Sequence, residues 1–249
     1  MTLSPLASKI AQARRTHTPF LFEPALAVTE MGAAYRTQAQ VAHALGTKVV
    51  GWKVGFAPDG GAPWAAPILD CDMRENGGTH TLPRGSALKI EAELGIRLGR
   101  DLPPRALAYG REEILDSISE MFVGLELIVS RFSNVAAADF ISKVADSFSN
   151  GAYAIGARTD SFRNLDLAHL RCRLAVDGHV FNDRPGGHSD GDPLIPLIAW
   201  ANGQADQLGG LRAGQFVTLG TLNEPVPMDR PARIEASLSG IGEASLRLL

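Results

Sequence analysis

The chain has few of the features that mark several common protein classes. Its 249 residues include only two cysteines, Cys71 and Cys172, without CxxC spacing, which argues against a disulfide framework or a zinc cluster. With 24 lysines and arginines against 27 acidic residues, it has no basic excess to neutralise nucleic-acid phosphates. The longest uncharged apolar candidate, Pro193–Ala201, falls far short of the ~18 residues that a membrane span needs.

Nucleotide-binding motifs and targeting signals are missing too. No GxGxxG follows a strand pattern and no GxxxxGK(S/T) occurs, so dinucleotide and P-loop chemistry have no support in the sequence. The N-terminus lacks the apolar core and small-residue cleavage site of a signal peptide. A cytoplasmic protein with reduced thiols, binding neither nucleic acid nor a membrane, is therefore expected.

The apolar residues that are present suffice for a full core, at 45% of the chain. The first ~45 residues show helical spacing, with Ser4 placed as an N-cap and Gly46 as a helix end. From residue 48 onward the pattern is typical of strands. This order predicts an α+β fold with a mixed or antiparallel sheet, with a helical N-terminal segment over 1–46 and a mixed-β domain over 47–249.

Periodicity and turn signals place the individual elements. The clearest strand is Leu88–Leu98, in which apolar and polar residues alternate strictly. Ala57–Pro67 is rich in glycine and proline and is expected to be a long loop. The other predictions are strands over Lys48–Phe56, Val123–Val129, Ala152–Gly156 and Gln215–Leu219, a hairpin of Leu170–Asp177 with His179–Phe181, helices over Arg111–Phe122, Ala136–Asp146 and Pro193–Leu208, and closing strands within Ala232–Leu248.

Three glutamates indicate a cation site. Glu91 and Glu93 lie on one face of the Leu88–Leu98 strand, with Cα atoms ~6.5 Å apart. Like charges this close need something positive between them, and a hard divalent cation is the usual solution. Glu126 is flanked by leucines in an apolar strand, where a lone carboxylate is costly and needs a partner. The alternative for the first pair is the solvated face of an amphipathic strand.

The stretches around these glutamates resemble the fumarylacetoacetate hydrolase superfamily, and more narrowly its 2-keto-4-pentenoate hydratase and 4-oxalocrotonate decarboxylase branch. The resemblance runs from about Leu6 to the C-terminus. IEAE followed by LELxxSR is the specific signal, whereas GWKVG alone would be weak. The matching stretches are GWKVGF (Gly51–Phe56), Asp72-Met73, IEAELGIRLGRDLP (Ile90–Pro103), GLELIVSRF (Gly124–Phe132), VADSFSNGAYAIG (Val144–Gly156) and LRAGQFVTLGTL (Leu211–Leu222).

The resemblance implies a fold and a set of site residues. The fold is a mixed β-sandwich or roll of the fumarylacetoacetate hydrolase C-terminal type, with the catalytic site in the 47–249 domain. The implied site residues are Glu91, Glu93 and Glu126 as ligands of Mg²⁺ or Mn²⁺, and Lys53, Asp72, Asp146 and Ser149 as catalytic groups. Each of the last four residues also has a purely structural interpretation. In the same order, these are a surface lysine, an aspartate in a turn, an aspartate at a solvated helix end and a serine in an ordinary serine-rich turn.

The activity that the resemblance implies is that of a lyase in aromatic catabolism. The leading expectation is a metal-dependent hydratase that adds water to a 2-hydroxy-2,4-dienoate and yields a 4-hydroxy-2-oxo acid. The alternatives are a decarboxylase of a 2-oxo-3-enedioate and a non-catalytic subunit of a hydratase–decarboxylase complex. An acylpyruvate hydrolase ranks lower, because no His-x-x-Glu lies between the first strand and Glu91. A homo-oligomer is expected, alone or with a hydratase or decarboxylase partner.

Two segments depart from the family pattern. Phe56–Gly61 is shortened and altered relative to the polar segment of family hydratases, and Asp192 stands where the family's Gly-His-Pro-Leu has histidine. Phe56–Pro67 is interpreted either as a lid over the metal or as a fixed segment in which Trp64 packs on a neighbouring element or subunit. His188 follows two glycines in a loop, a context typical of an exposed histidine, and is assigned no role.

Overall fold

The computed structural model describes residues 2–81 and 88–249. As predicted, Ser4 is the N-cap of the first helix, with its hydroxyl accepting the Ala7 N–H at 3.2 Å. Gly46 ends the second helix in a left-handed conformation with φ 63°. No helix in the described ranges is long and apolar enough to cross a membrane. The helices are α1 (Pro5–Thr16), α2 (Met31–Leu45), α3 (Arg111–Ser117), α4 (Phe140–Ala145) and α5 (Leu194–Asn202).

Two sheets contain the strands of the described residues. The strands are β1 (Val49–Phe56), β2 (Pro63–Leu69), β3 (Met73–Arg74), β4 (Thr79–His80), β5 (Leu88–Leu98), β6 (Ile118–Val129), β7 (Asn150–Thr159), β8 (Arg171–Val176), β9 (His179–Pro185), β10 (Phe216–Thr221), β11 (Val226–Met228), β12 (Ala232–Leu238) and β13 (Gly242–Leu248). The larger sheet has the order β2-β1-β10-β5-β6-β7-β3, with β11 beside β5, and the smaller has the order β4-β13-β12-β8-β9. Parallel pairs of β1 with β10 and of β3 with β7 make the larger sheet mixed, which confirms the predicted α+β class.

The larger sheet curls around a small cluster of rings. The ring centroids of Tyr153 and Phe216 are 5.1 Å apart, and Phe122 lies 5.9 Å from Phe216. Two glycines allow this approach, because a Cβ on Gly51 would lie 2.5 Å from the Phe216 ring and one on Gly95 would lie 2.1 Å from Phe122. The Lys48–Phe56 prediction of a strand with a close backbone approach is thereby confirmed.

The β5 strand has the predicted bounds but not a solvated face. Glu91 is 7% exposed and Glu93 is 0% exposed, although both occupy the polar positions of the alternating pattern. The rings inside the curled sheet lie on this same face, because Gly95 follows Glu93 by two positions. The solvated-face alternative is therefore wrong, and the glutamates need internal partners.

The segment predicted as a loop over Ala57–Pro67 is a strand from Pro63 onward. β2 lies at the edge of its sheet. One side of an edge strand has no neighbouring strand to bond, so a proline, which lacks an N–H, is tolerated there. Trp64 belongs to this strand, is 4% exposed and lies 4.4 Å from the Phe148 ring between centroids. Trp64 is therefore the packed tryptophan of the alternative interpretation, and closure of the segment before Pro63 over a metal stays a prediction.

Three predicted helices are shorter than expected. Arg111–Phe122 is helical only to Ser117, because the apolar run that follows continues into β6. Pro193–Leu208 ends as a helix at Asn202. Ala136–Asp146 consists of a 3-10 turn followed by α4. The other predicted strands form, with ends shifted by a few residues, and so does the hairpin at its Asp-Gly turn.

Candidate metal and substrate site

Three glutamates converge on the concave face of the larger sheet. Glu91 and Glu93 project from β5, and Glu126 projects from β6 directly opposite Glu91. One carboxylate oxygen from each lies within 4.8 Å of the others. The register of β5 against β6 therefore brings together side chains that are 35 residues apart along the chain, from 91 to 126.

Burial makes this cluster costly without a cation. Burial raises the pKa of Glu91 to about 7, with Lys53 opposing that rise and Glu126 adding to it. Burial and the Glu126 charge raise the pKa of Glu93 well above its usual value. Oxygen ligation of a hard divalent ion compensates for such lost solvation. The donor set, all carboxylate oxygen, suits Mg²⁺ or Mn²⁺.

Lys53 places an ammonium group against the carboxylates. It projects from β1, and its Nζ lies 2.5 Å from Glu126 Oε2. Burial lowers the pKa of Lys53, but the three glutamates raise it by more, so its pKa lies above its usual value and the amine stays protonated. With residue exposure of 8%, it is not a surface lysine. When all three carboxylates are ionised, as metal ligation requires, they and the ammonium together carry two negative charges, which matches a divalent cation.

Two neutral donors also contact the glutamates. The Thr218 hydroxyl donates to Glu93 Oε2 at 2.5 Å, and the Asn150 amide donates to Glu126 Oε1 at 3.1 Å. Sequence reasoning missed both, because their strands are distant in the chain and no spacing rule connects them to the glutamates. Strand register alone brings Thr218 beside Lys53 on β1.

Several oxygen atoms at the cluster have no partner within the described residues. Glu93 Oε1, Asn150 Oδ1 and the Tyr153 hydroxyl are all buried and make no hydrogen bond there. Burial and the Glu93 charge raise the pKa of Tyr153, so its hydroxyl keeps its proton. Buried polar atoms seldom stay unpaired. Unpaired oxygen atoms of this kind are expected where a metal ion and its other oxygen ligands would supply the missing partners.

The two predicted acid–base aspartates lie apart from the glutamates. Asp72 pairs with Arg14 at 2.8 Å, and Asp146 pairs with Arg131 at 2.5 Å. Both aspartates are buried, at 8% and 1% exposure, so the solvated-helix-end alternative for Asp146 is wrong. Within residues 2–81 and 88–249, no hydrogen bond or ion pair joins either of them to Lys53 or the glutamates. Each carboxylate is engaged by an arginine instead.

Ser149 ends an unusual backbone turn beside Lys53. Ser147, Phe148 and Ser149 have φ values of 50°, 47° and 64°, so three successive residues are left-handed, a conformation that costs energy at each non-glycine residue. The turn directs Phe148 into the site, where its ring centroid lies 5.6 Å from Lys53 Nζ. Sequence reasoning named the serine and missed the aromatic residue before it, for which the sequence offers no signal.

A cavity of about 580 Å³ opens next to the second half of β1, and its described lining includes neither Lys53 nor the three glutamates. Gly55, two residues after Lys53 on β1, is one lining residue, and Phe148, whose ring centroid lies 5.6 Å from Lys53 Nζ, is another. Its lining includes Phe56 and Trp64. Besides His188, the only titratable side chain among its described lining residues is that of Asp190. The described lining therefore combines three aromatic side chains with a few polar ones and contains neither lysine nor arginine.

His188 lines this cavity and is held in place by two hydrogen bonds. Its side chain is 4% exposed, its Nε2 donates to Leu219 O at 2.7 Å and its Nδ1 accepts the Asp190 N–H at 3.1 Å. The expectation of an exposed loop histidine is wrong. The available signal was Gly220, whose φ of +106° and absent side chain leave room for the imidazole 2.9 Å from its Cβ position.

Comparison with known proteins gives consistent matches. A sequence model of the fumarylacetoacetate (FAA) hydrolase C-terminal family matches residues 72–248, more than half of the chain. A 2-keto-4-pentenoate hydratase from Paraburkholderia xenovorans is 30% identical over 215 residues, covering 80% of this chain and 75% of that protein. A 4-oxalocrotonate decarboxylase from Pseudomonas putida is 26% identical over 216 residues, covering 82% of this chain and 79% of that protein.

Solved structures share the fold. A 4-oxalocrotonate decarboxylase from Pseudomonas putida G7, complexed with magnesium and adipate, aligns with a TM-score of 0.85 and 25% identity, covering 100% of this chain and 99% of that chain. A fumarylpyruvate hydrolase from Pseudomonas aeruginosa, in complex with Mn²⁺ and pyruvate, aligns with a TM-score of 0.59 and 17% identity, covering 80% and 88%. The second likeness is one of fold alone.

Proposed function

Because the chain belongs to the fumarylacetoacetate hydrolase family, in its branch of hydratases and decarboxylases, we propose that it is a metal-dependent hydratase. The proposed reaction adds water to a 2-hydroxy-2,4-dienoate and yields a 4-hydroxy-2-oxo acid. The observation that carries this choice is the cavity next to β1, whose described lining contains aromatic and apolar side chains and neither arginine nor lysine.

The cavity suits a substrate with one carboxylate. A 2-hydroxy-2,4-dienoate carries its single carboxylate at the end that chelates the metal, so its far end is uncharged. That end would lie against Trp64 and Phe148. A second carboxylate there would face Asp190 with no cation from the described lining, and an unpaired buried charge is costly. The lining therefore favours a dienoate over an enedioate.

Glu91, Glu93 and Glu126 are the residues that would hold Mg²⁺ or Mn²⁺. When bound, the ion supplies Lewis-acid stabilisation of negative charge on the C2 oxygen of a 2-oxo acid, which makes an enolate accessible at neutral pH. The magnesium bound by the decarboxylase of similar structure supports the same class of ion here.

Lys53 is proposed to act as a cation and a proton donor. Its amine stays protonated beside Glu126, so it does not serve as a base. An ammonium at this point binds the substrate carboxylate or delivers a proton to the carbon chain as the dienol ketonises. The Phe148 ring near Lys53 and the Trp64 ring packed on it would contact the apolar end of the substrate. Direct catalytic roles for Asp72, Asp146 and Ser149 remain predictions.

A decarboxylase of a 2-oxo-3-enedioate is the second candidate. It is favoured by the full-length likeness to the decarboxylase that binds magnesium and adipate, a dicarboxylate. The same metal site would serve both reactions, because the electron pair of the broken C–CO₂ bond would move onto the C2 oxygen of the 2-oxo group and give a dienolate.

A paired assay separates the candidates. The purified protein with Mg²⁺ is given a five-carbon 2-hydroxydienoate and a six-carbon 2-oxo-enedioate, and hydration product and CO₂ are measured. We expect hydration of the first without CO₂ from the second, and loss of that activity in Glu126→Gln. CO₂ release from the enedioate would assign the decarboxylase. Metal binding without turnover of either substrate would assign a non-catalytic subunit.

A further inference from the structure

Asn150 connects the glutamate cluster to two buried ion pairs. Its side chain is 0% exposed and its Nδ2 donates to Glu126 Oε1 at 3.1 Å. The other Glu126 oxygen accepts from Lys53. Each oxygen of this carboxylate therefore has its own donor, and two fixed donors hold a carboxylate plane in one orientation.

The backbone carbonyl of Asn150 is held by two guanidinium groups. Arg131 Nη1 donates to it at 2.5 Å, and Arg14 Nη2 donates to it at 3.3 Å. Asp146 and Asp72 in turn pair with these arginines. Both arginine side chains are buried, at 6% and 7% exposure. Hydrogen bonds from charged donors are stronger than those between neutral groups, so this carbonyl is fixed firmly.

The local backbone explains why such anchoring is needed. Asn150 follows the left-handed Ser147–Ser149 turn and begins β7, where the pairing with β6 shifts register between Leu127 and Ile128. Regular ladder bonds are interrupted at a bulge of this kind. The guanidinium groups replace them, with Arg14 reaching from the N-terminal helix α1 and Arg131 from two residues beyond the end of β6.

We propose that Asn150 is a positioning residue for the metal ligand Glu126, and that Asp72 and Asp146 act on the metal site through it. The aspartates hold the arginines, the arginines hold the Asn150 carbonyl, and the Asn150 amide orients Glu126. This inference rests on the proposed metal-dependent function. It assigns the two aspartates a role other than direct proton transfer.

Metal affinity tests the first step without any need for turnover. The dissociation constant for Mn²⁺ is measured by electron paramagnetic resonance or calorimetry for the parent protein, Asn150→Ala and Asn134→Ala. Asn134 is a matched control, because it bonds the Phe22 backbone from both ends of its amide and has no bond to the glutamates. We expect about tenfold weaker binding in Asn150→Ala, parental binding in Asn134→Ala, and a smaller loss in Asn150→Ser, which retains a donor.

Two results would overturn the inference and leave the proposed function standing. One is equal Mn²⁺ affinity in Asn150→Ala and the parent, and the other is an equal loss of affinity in Asn150→Ala and Asn134→Ala. A parent protein that binds no Mn²⁺ would overturn the proposed function itself. Should Asn150→Ala fail to fold, the nearly isosteric Asn150→Leu, which has no donor, is compared with the parent, and unchanged affinity there overturns the inference.

A double-mutant cycle tests the second step. Mn²⁺ affinity is measured for Asp72→Asn, for Asn150→Ala and for the variant with both changes. If Asp72 acts through Asn150, Asp72→Asn weakens Mn²⁺ binding, and the combined loss is smaller than the product of the two separate fold-changes. Unchanged Mn²⁺ affinity in Asp72→Asn with a large fall in kcat would instead make Asp72 a direct acid–base group and overturn this step.

Discussion

At the scale of single residues, the setting of Lys53 determines what it can do. Its ammonium is almost fully buried and pairs with Glu126 inside a cluster of three carboxylates. Removing one partner of a buried ion pair leaves an uncompensated charge, which is worse than removing both. Removing the Lys53 charge should therefore lower the stability of the metal-free protein and the turnover rate without lowering metal affinity, so a single substitution separates these effects.

Lys53→Met keeps the length of the side chain and removes its charge. We expect the metal-free protein to lose about 3 kcal/mol of unfolding free energy, because the carboxylates lose their counter-ion. Mn²⁺ should bind at least as tightly as to the parent, since the cluster is more negative, and kcat/KM should fall strongly. Urea unfolding, Mn²⁺ titration and kinetics measure the three effects. Lys48→Met, at an exposed position just before β1, serves as the control; unchanged kinetics in Lys53→Met would contradict the assigned role.

At the scale of the strands, glycines determine how tightly the larger sheet curls. Gly95 on β5 and Gly51 on β1 lie under the Phe122 and Phe216 rings. These rings pack against each other with centroids 5.9 Å apart, on the face of the sheet that also carries Glu93. The curvature that shapes the site thus depends on positions without a side chain, and adding one methyl group tests that dependence.

Gly95→Ala places a Cβ 2.1 Å from Phe122 Cε2, which the ring cannot accommodate without moving. We expect a loss of about 1–3 kcal/mol in unfolding free energy, with weaker metal binding because Glu93 is two residues away. Gly110→Ala is the matched control, since its Cβ position has no atom within 4 Å. Urea denaturation compares the two, and equal midpoints would show that the sheet adapts freely.

The short strand β4 carries a pH-sensitive contact in the smaller sheet. His80 pairs with Leu248 of β13, and its Nδ1 accepts from Arg74 Nε at 3.2 Å. Burial lowers the pKa of His80 from 6.5 to about 4, with Arg74 and His17 adding to that effect. The folded state therefore binds fewer protons than the unfolded state between these two values.

The unfolding free energy should accordingly fall as pH drops from 6.5 to about 4. His80→Gln removes this titration and should flatten the decline, whereas His43→Gln, at an exposed position of α2, should not. Urea midpoints measured above and below this window give the slope for each protein. Parallel slopes for His80→Gln and the parent would exclude His80 as the source.

At the scale of the whole molecule, folding and metal binding are coupled. The ligands come from two strands, their hydrogen-bond donors come from three more elements, and Arg14 reaches the site from the N-terminal helix. No part of the site exists in the unfolded chain. A cation that binds the folded state alone must therefore raise its stability.

Mg²⁺ at one hundred times its dissociation constant should add about 2.7 kcal/mol to the unfolding free energy. Glu126→Gln should lose this gain, and its metal-free form should be less stable than the metal-free parent, because the buried Lys53 ammonium loses its ion-pair partner. Thermal melts with Mg²⁺ and with chelator measure both changes. An Mg²⁺-induced rise that survives in Glu91→Gln, Glu93→Gln and Glu126→Gln alike would place the metal elsewhere.

The sequence by itself determined the elements whose signals are local. The alternation of Leu88–Leu98 gave the bounds of β5, Ser4 and Gly46 marked helix ends, and the Glu-x-Glu spacing indicated a pair of convergent carboxylates. Together with the later Glu126 and the family resemblance, these signals identified the glutamate cluster and Lys53. Each depends on neighbours within a few residues or on a contiguous motif, so no tertiary information was needed.

Only the tertiary structure decided the surroundings of those residues. Whether the Glu91 face of β5 is solvated depends on the curl of the sheet, which residues on four other strands produce. Asn150 reaches Glu126, and Arg14 reaches Asp72, across 24 and 58 positions of the chain. Trp64 is packed in an edge strand because β1 lies beside it. Contacts between distant segments follow from strand register and sheet closure, which no local pattern of residue types encodes.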